Sequence, residues 1–173
     1  MSLVVLAYPE LSHTDNEWIE EFRLQHDELH ADVVSAHFTM VFPVSGIEKS
    51  AFIDHVQRNL AGIESISFVL RCATLMKDAF SDYNHVFLVP DEGYSHIVKL
   101  HDRFYTGLLA EALRLDIPYI PHIGIANSTD AQKCKSLADA VNAKDFAING
   151  TIGEVEVVEY IDRTIHPIQR FVL

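Results

Sequence analysis

The sequence predicts an α+β fold built as two similar halves of a single domain, residues 1–173, and three observations point there. Apolar residues recur every second position in some stretches and at helical spacing in others, so strands and helices interleave along the chain. The order helix, strand with a histidine, helix, strand runs once between Asp15 and Met76 and again between Tyr94 and Val158, giving repeat units of roughly 15–76 and 94–158. His37 and His122 fall at corresponding points of the two copies, 85 residues apart. A two-fold arrangement of the halves brings both imidazoles to a central cleft.

Composition narrows the class. An apolar fraction of 49% and a charged fraction of 22% are those of a globular chain long enough to bury a sizeable core. With 13 Lys and Arg against 25 Asp and Glu, the net charge of -12 argues against non-specific binding to long nucleic acid or to a membrane, both of which rely on a broad basic surface. A small anionic ligand in a locally positive pocket remains compatible with it. Two cysteines, Cys72 and Cys134, and an amino terminus without a secretory apolar region lead to the expectation of a reducing cytoplasm and of a monomer without disulfides. Both cysteines read as small core residues.

Taken in order, Leu3 to Tyr8 is a β-branched apolar run closed by Pro9, the first strand. Trp18, Ile19, Phe22 and Leu29 place a helix over Asp15 to Leu29, capped by Thr14 or Asp15. Ala36 to Phe42 alternates as a half-buried strand, with His37, Thr39 and Val41 on one face and Ala36, Phe38, Met40 and Phe42 on the other. Pro43 ends it. A second helix runs from about Ser50 to Gly62 on the stripe Phe52, Ile53, Val56 and Leu60. Two strands, Ser65 to Met76 and His85 to Val89, follow, joined by the turn Lys77 to Asn84. Tyr94 to Leu115 reads as one long helix, and Ile120 to Ile125 as the strand of His122. Asn127 or Thr129 caps a helix over Ala131 to Val141, and strands over Phe146 to Tyr160 and Ile168 to Leu173 close the chain.

The chemistry concentrates in the two histidine strands. Two imidazoles that flank one site suit general acid–base catalysis, since both titrate near neutral pH. Cleavage of a phosphodiester needs such a base and acid, together with donors for the non-bridging oxygens, and Thr39 lies on the face of His37 to supply one. The stretches His37-Phe38-Thr39-Met40 and Pro121-His122-Ile123-Gly124-Ile125 resemble the paired H-x-T-x motifs of the 2H phosphoesterase superfamily, which includes the 2'-5' RNA ligase-like proteins and the cyclic nucleotide phosphodiesterases. The resemblance extends over nearly the whole chain. It implies a bilobal α+β fold, two antiparallel sheets around a central cleft with helices outside. It also implies a site without metal or cofactor, in which His37 and His122 act on a 2',3'-cyclic phosphate or a 2'-5' linkage of a nucleotide or short RNA end. Gly124 stands where the family carries Thr or Ser, so one of the two hydroxyls to the phosphate is missing, with a backbone amide, a water or Ser128 as the substitute.

Other residues enter as substrate contacts. Tyr83, in the aromatic loop Phe80 to Asn84, is placed to stack on a base, and Arg71 and Arg163, on strands, to neutralise a phosphate. A second reading of the chain is a module that binds a nucleotide or phosphorylated small molecule without turnover. A third is a metal-dependent hydrolase using His26 and His30, four apart on the first helix, though no third ligand is evident beside them.

Overall fold

The computed structural model describes residues 1–173 and contains two antiparallel sheets with helices on their outer faces. In chain order the elements are β1 (Ser2–Ala7), β2 (Glu10–Leu11), α1 (His13–His26), β3 (Phe38–Val44), α2 (Lys49–Leu60), β4 (Ile66–Lys77), β5 (Asn84–Glu92) and α3 (Tyr94–Phe104). After a short 3-10 turn, Gly107–Ala112, come β6 (Ile123–Ser128), α4 (Ala131–Asn142), β7 (Ile148–Ile152), β8 (Glu154–Ile161) and β9 (Thr164–Val172). One sheet has the order β3-β1-β8-β9 and the other β2-β7-β4-β5-β6. Each carries a histidine motif on an edge strand, β3 in one and β6 in the other, so the predicted pseudo-two-fold of the halves is seen in the sheets themselves.

The residues of β1 explain why the cleft lies where it does. Leu3, Val5 and Ala7 face the main core, whereas Val4 and Leu6 pack with Val158 on the opposite side of the same sheet, toward the cleft. Because both faces of β1 are covered, its sequence is continuously apolar instead of alternating. On the second sheet Val86, Leu88, Ile123 and Ile125 are buried in the core, and His85, Phe87 and Gly124 face the cleft.

Several boundaries differ from those read in the sequence. Helix α1 starts on Ser12, whose hydroxyl accepts from the Asp15 N–H, and ends at His26. His30 therefore lies in the following turn, and the two histidines do not share a helix face. Glu48 caps α2 and Asp130 caps α4, each by accepting backbone N–H groups of the first turn. The long helix expected over Tyr94 to Leu115 stops at Phe104, and Gly107 opens the 3-10 turn at a positive φ of 49°. The break frees Tyr105 to bury its ring and accept the Phe42 N–H at 2.9 Å.

The run Phe146 to Tyr160 is two strands in two sheets. Gly153 separates them at a point where a Cβ would come within 2.5 Å of Glu10 Oε1, and the chain passes there from β7 to β8. Arg163 is a turn residue, not a strand residue: with Asp162 it forms a tight hairpin at φ of 48° and 61°, the geometry that matches strand twist. No helix is long and apolar enough to cross a membrane.

Candidate active site

His37 and His122 each occupy the position immediately before an edge strand, one residue earlier than strand alternation alone suggests. There the backbone is free to turn, and each imidazole bonds through Nδ1 to the carbonyl two residues back, His37 to Ser35 at 2.7 Å and His122 to Ile120 at 2.6 Å. In the neutral ring this N–H donation sets the tautomer with Nε2 unprotonated. Two residues on, Thr39 and Gly124 line the same cleft of about 280 Å³. The two motifs thus present the same two positions to one space.

Side chains of other elements hold β3 against the second half. Tyr119 donates its hydroxyl to the Thr39 carbonyl at 3.1 Å, and His101 donates from Nδ1 to the Met40 carbonyl at 3.0 Å. The two rings stack at 3.5 Å. Together with Tyr105 they satisfy the backbone groups that an edge strand leaves open, and they tie the segment preceding His122 to Thr39.

Desolvation by the cleft walls disfavours the charged form of both imidazoles and is the largest influence on each. It pulls His37 and His122 down to about 4, although the backbone carbonyls work in the opposite direction. The Arg23 guanidinium and His122 push His37 the same way, and His85 does so for His122. Neutral imidazoles of this kind can accept a proton at Nε2, and an anion between them would favour charging one.

The structure brings His37, Thr39, His122 and Gly124 together and places the other predicted contacts elsewhere. Arg71, exposed on β4, donates to Asp91 at 2.8 Å and is also paired with Glu92. Arg163 donates to the Leu29 carbonyl at 2.8 Å. Tyr83 lies in the hairpin between β4 and β5, outside the lining of the cleft. Ser128 is buried, and its Oγ accepts the Asp130 N–H. It does not reach Gly124's place.

Residues not singled out from the sequence complete the walls. Phe87 pairs with Gly124 across β5 and β6 and stacks on His122 with ring centroids 3.6 Å apart. Arg23 is 1% exposed and extends from α1 to the cleft, paired with Glu20 and Asp27 and donating to the Val34 carbonyl at 2.6 Å. His30, read in the sequence only as a candidate metal ligand, and His85 bring the imidazoles around the cleft to four. A helix residue such as Arg23 reads as solvated in sequence, and only the apolar Ile19, one helical turn before it, hints that it lies on the inward face.

Beyond His85, Phe87 and His122 the cleft continues into a cavity of about 700 Å³ bounded by Phe42, Met76, Phe80, Arg114 and Pro118. The Arg114 guanidinium lies 4.8 Å above the Phe80 ring.

The family model of the 2'-5' RNA ligase superfamily matches residues 11–164. No curated protein matches the sequence significantly. Among solved structures, E. coli LigT complexed with 3'-AMP aligns with a TM-score of 0.57 at 16% identity, over 99% of this chain and 97% of that one. LigT in apo form gives 0.58 at 17% identity, over 99% and 96%. Usb1 of Kluyveromyces marxianus gives 0.54 at 7% identity, over 95% of this chain and 96% of its own. At these identities the likeness is one of fold.

Proposed function

The chain belongs to the 2'-5' RNA ligase superfamily, and on that premise we propose that it is a metal-independent phosphoesterase acting on a 2',3'-cyclic phosphate or a 2'-5' phosphodiester of a nucleotide or short RNA end. The observation that carries the reading is the matched pair of imidazoles, each anchored through Nδ1 to its own i−2 carbonyl and each lining one cleft. A water attacks phosphorus while one neutral Nε2 takes its proton. The other ring, as imidazolium, gives the Nε2 proton to the ribose oxygen as the P–O bond breaks. The Thr39 hydroxyl, on a residue that lines the same cleft, donates to a non-bridging oxygen. The larger cavity beyond His122 has the size and the aromatic lining to take a nucleoside. The net charge of -12 favours a small molecule or an RNA terminus over a long strand.

The test is hydrolysis of the four nucleoside 2',3'-cyclic monophosphates in excess chelator, comparing wild type with His37→Ala and His122→Ala. Turnover that resists chelator and is lost in both variants is the expected result, and the product isomer then assigns acid and base. Because free enzyme must hold one imidazole charged and one neutral, kcat/KM should be bell-shaped, with its maximum on the acid side of pH 6.5. Chelator-sensitive turnover, or full activity in both variants, refutes the reading. Gly124 favours a second one: a folded wild type that binds nucleotides and leaves them intact is a binding module of the same fold.

A further inference from the structure

Gly124 removes a hydroxyl from the second motif without filling its place. A Cβ built there meets only the Phe87 ring, at 3.9 Å, so the space beside the second histidine stays open to the cleft. The neighbouring strand brings a further imidazole, His85, to the lining of the same cleft. His85 and Phe87 are two apart on β5 and share its cleft face, where Phe87 pairs with Gly124 and His85 with Asn127. Phe87 leans toward His122, 3.6 Å away, and His85 stacks behind it at 5.4 Å. The one hydrogen bond of His85 runs from Nε2 to Asp78 Oδ2 at 3.4 Å, which leaves Nδ1 of this cleft-lining ring without a partner.

Resting on the phosphoesterase reading above, we infer that His85 is a substrate-binding residue that stands in for the hydroxyl missing at Gly124, donating from Nδ1 to a non-bridging phosphate oxygen. With Nε2–H directed at Asp78, Nδ1 carries a proton only when the ring is the imidazolium. That proton comes from solvent and stays on His85, since the reaction's own two proton transfers belong to His37 and His122. Burial is the largest influence and holds the free imidazole below its usual range; Asp78 and the more distant Asp27 work in the opposite direction, and His30 and His122 add to the lowering. A bound phosphodiester adds a second anion at the ring. Asp78 thereby acts as a positioning residue, holding the imidazole by one nitrogen and favouring the protonated form that the other nitrogen needs.

The experiment is a double-mutant cycle between His85→Phe, which keeps a ring stacked on Phe87 but removes both nitrogens, and Gly124→Thr, which restores the hydroxyl. Turnover of 2',3'-cyclic AMP and calorimetric affinity for 2'-AMP are read for all four proteins, with melting curves to establish folding. His85→Phe is expected to lower kcat by about 10²-fold, the loss typical of one oxyanion donor, and to weaken 2'-AMP several-fold. Gly124→Thr should recover at least tenfold of this in the His85→Phe background and change wild type much less. Asp78→Asn, which leaves the imidazole in place, should show part of the His85 loss and shift the pH optimum downward. Activity and affinity of His85→Phe within twofold of wild type, or an equal effect of Gly124→Thr in both backgrounds, overturns the inference. If His85→Phe does not fold, Asp78→Asn decides it by the same two readouts. A wild type without turnover refutes the enzymatic reading, and the cycle in 2'-AMP affinity then decides the role of His85 by itself.

Discussion

The two halves of the site agree in backbone and differ in side chains. His37 and His122 both precede an edge strand, both bond to an i−2 carbonyl, and both are pulled down to about 4 by desolvation. Around them the halves diverge. The first has Thr39, with Tyr8 meeting His37 edge-on at 6.3 Å, whereas the second has Gly124 with Phe87 stacked on His122 at 3.6 Å. On the proposed phosphoesterase reading, the shared part would position a proton donor and acceptor, and the divergent part would decide how an anion between them is held. A two-fold scaffold can keep its paired imidazoles symmetric while the side chains around them differ on each side.

The largest effect tests the shared part. His37→Ala and His122→Ala should each lower turnover by about 10²- to 10⁴-fold, and a much smaller loss in one variant would show that the halves are not functionally matched. Thr39→Val probes the divergence next: the remaining hydroxyl should be worth about 10²-fold in kcat, measured with KM to separate binding from chemistry. Gly124→Thr should raise the rate of wild type by a few-fold, because the site accepts a Cβ without overlap, and a large loss of rate or of melting temperature would show that Phe87 needs the glycine.

Acidity gives a smaller, reversible effect that both halves share. With both histidines held near 4 in the folded chain, below the ordinary 6.5, the unfolded chain binds more protons between those values. Stability therefore rises with pH across that window and is lost on acidification toward 4. Melting curves at pH 4.5 and 7 should show this drop, and either His→Ala variant should shrink it by a similar amount. Arg71→Ala should be the mildest change, with kcat within twofold, since its exposed pairing with Asp91 and Glu92 lies outside the cleft.

What the sequence by itself determined follows from local rules. Strand and helix periods depend only on which side of an element is apolar, so the histidine strands and the flanking helices were legible, whereas the expectation that His37, Thr39, His122 and Gly124 share a cleft came from the two-fold arrangement and the family resemblance. Tertiary structure decided what no local period encodes. Gly153 sends one continuous β-pattern into two sheets because Glu10 packs against it, and Gly107 breaks a long apolar stripe so that Tyr105 and Tyr119 can bond to β3. Arg71 and Arg163 looked free because their partners, Asp91 and the Leu29 carbonyl, lie 20 and 134 residues away in sequence. Arg23 and His85 reach the cleft for the same reason: a polar side chain's role is set by what folds against it, and that is a property of contacts between distant segments.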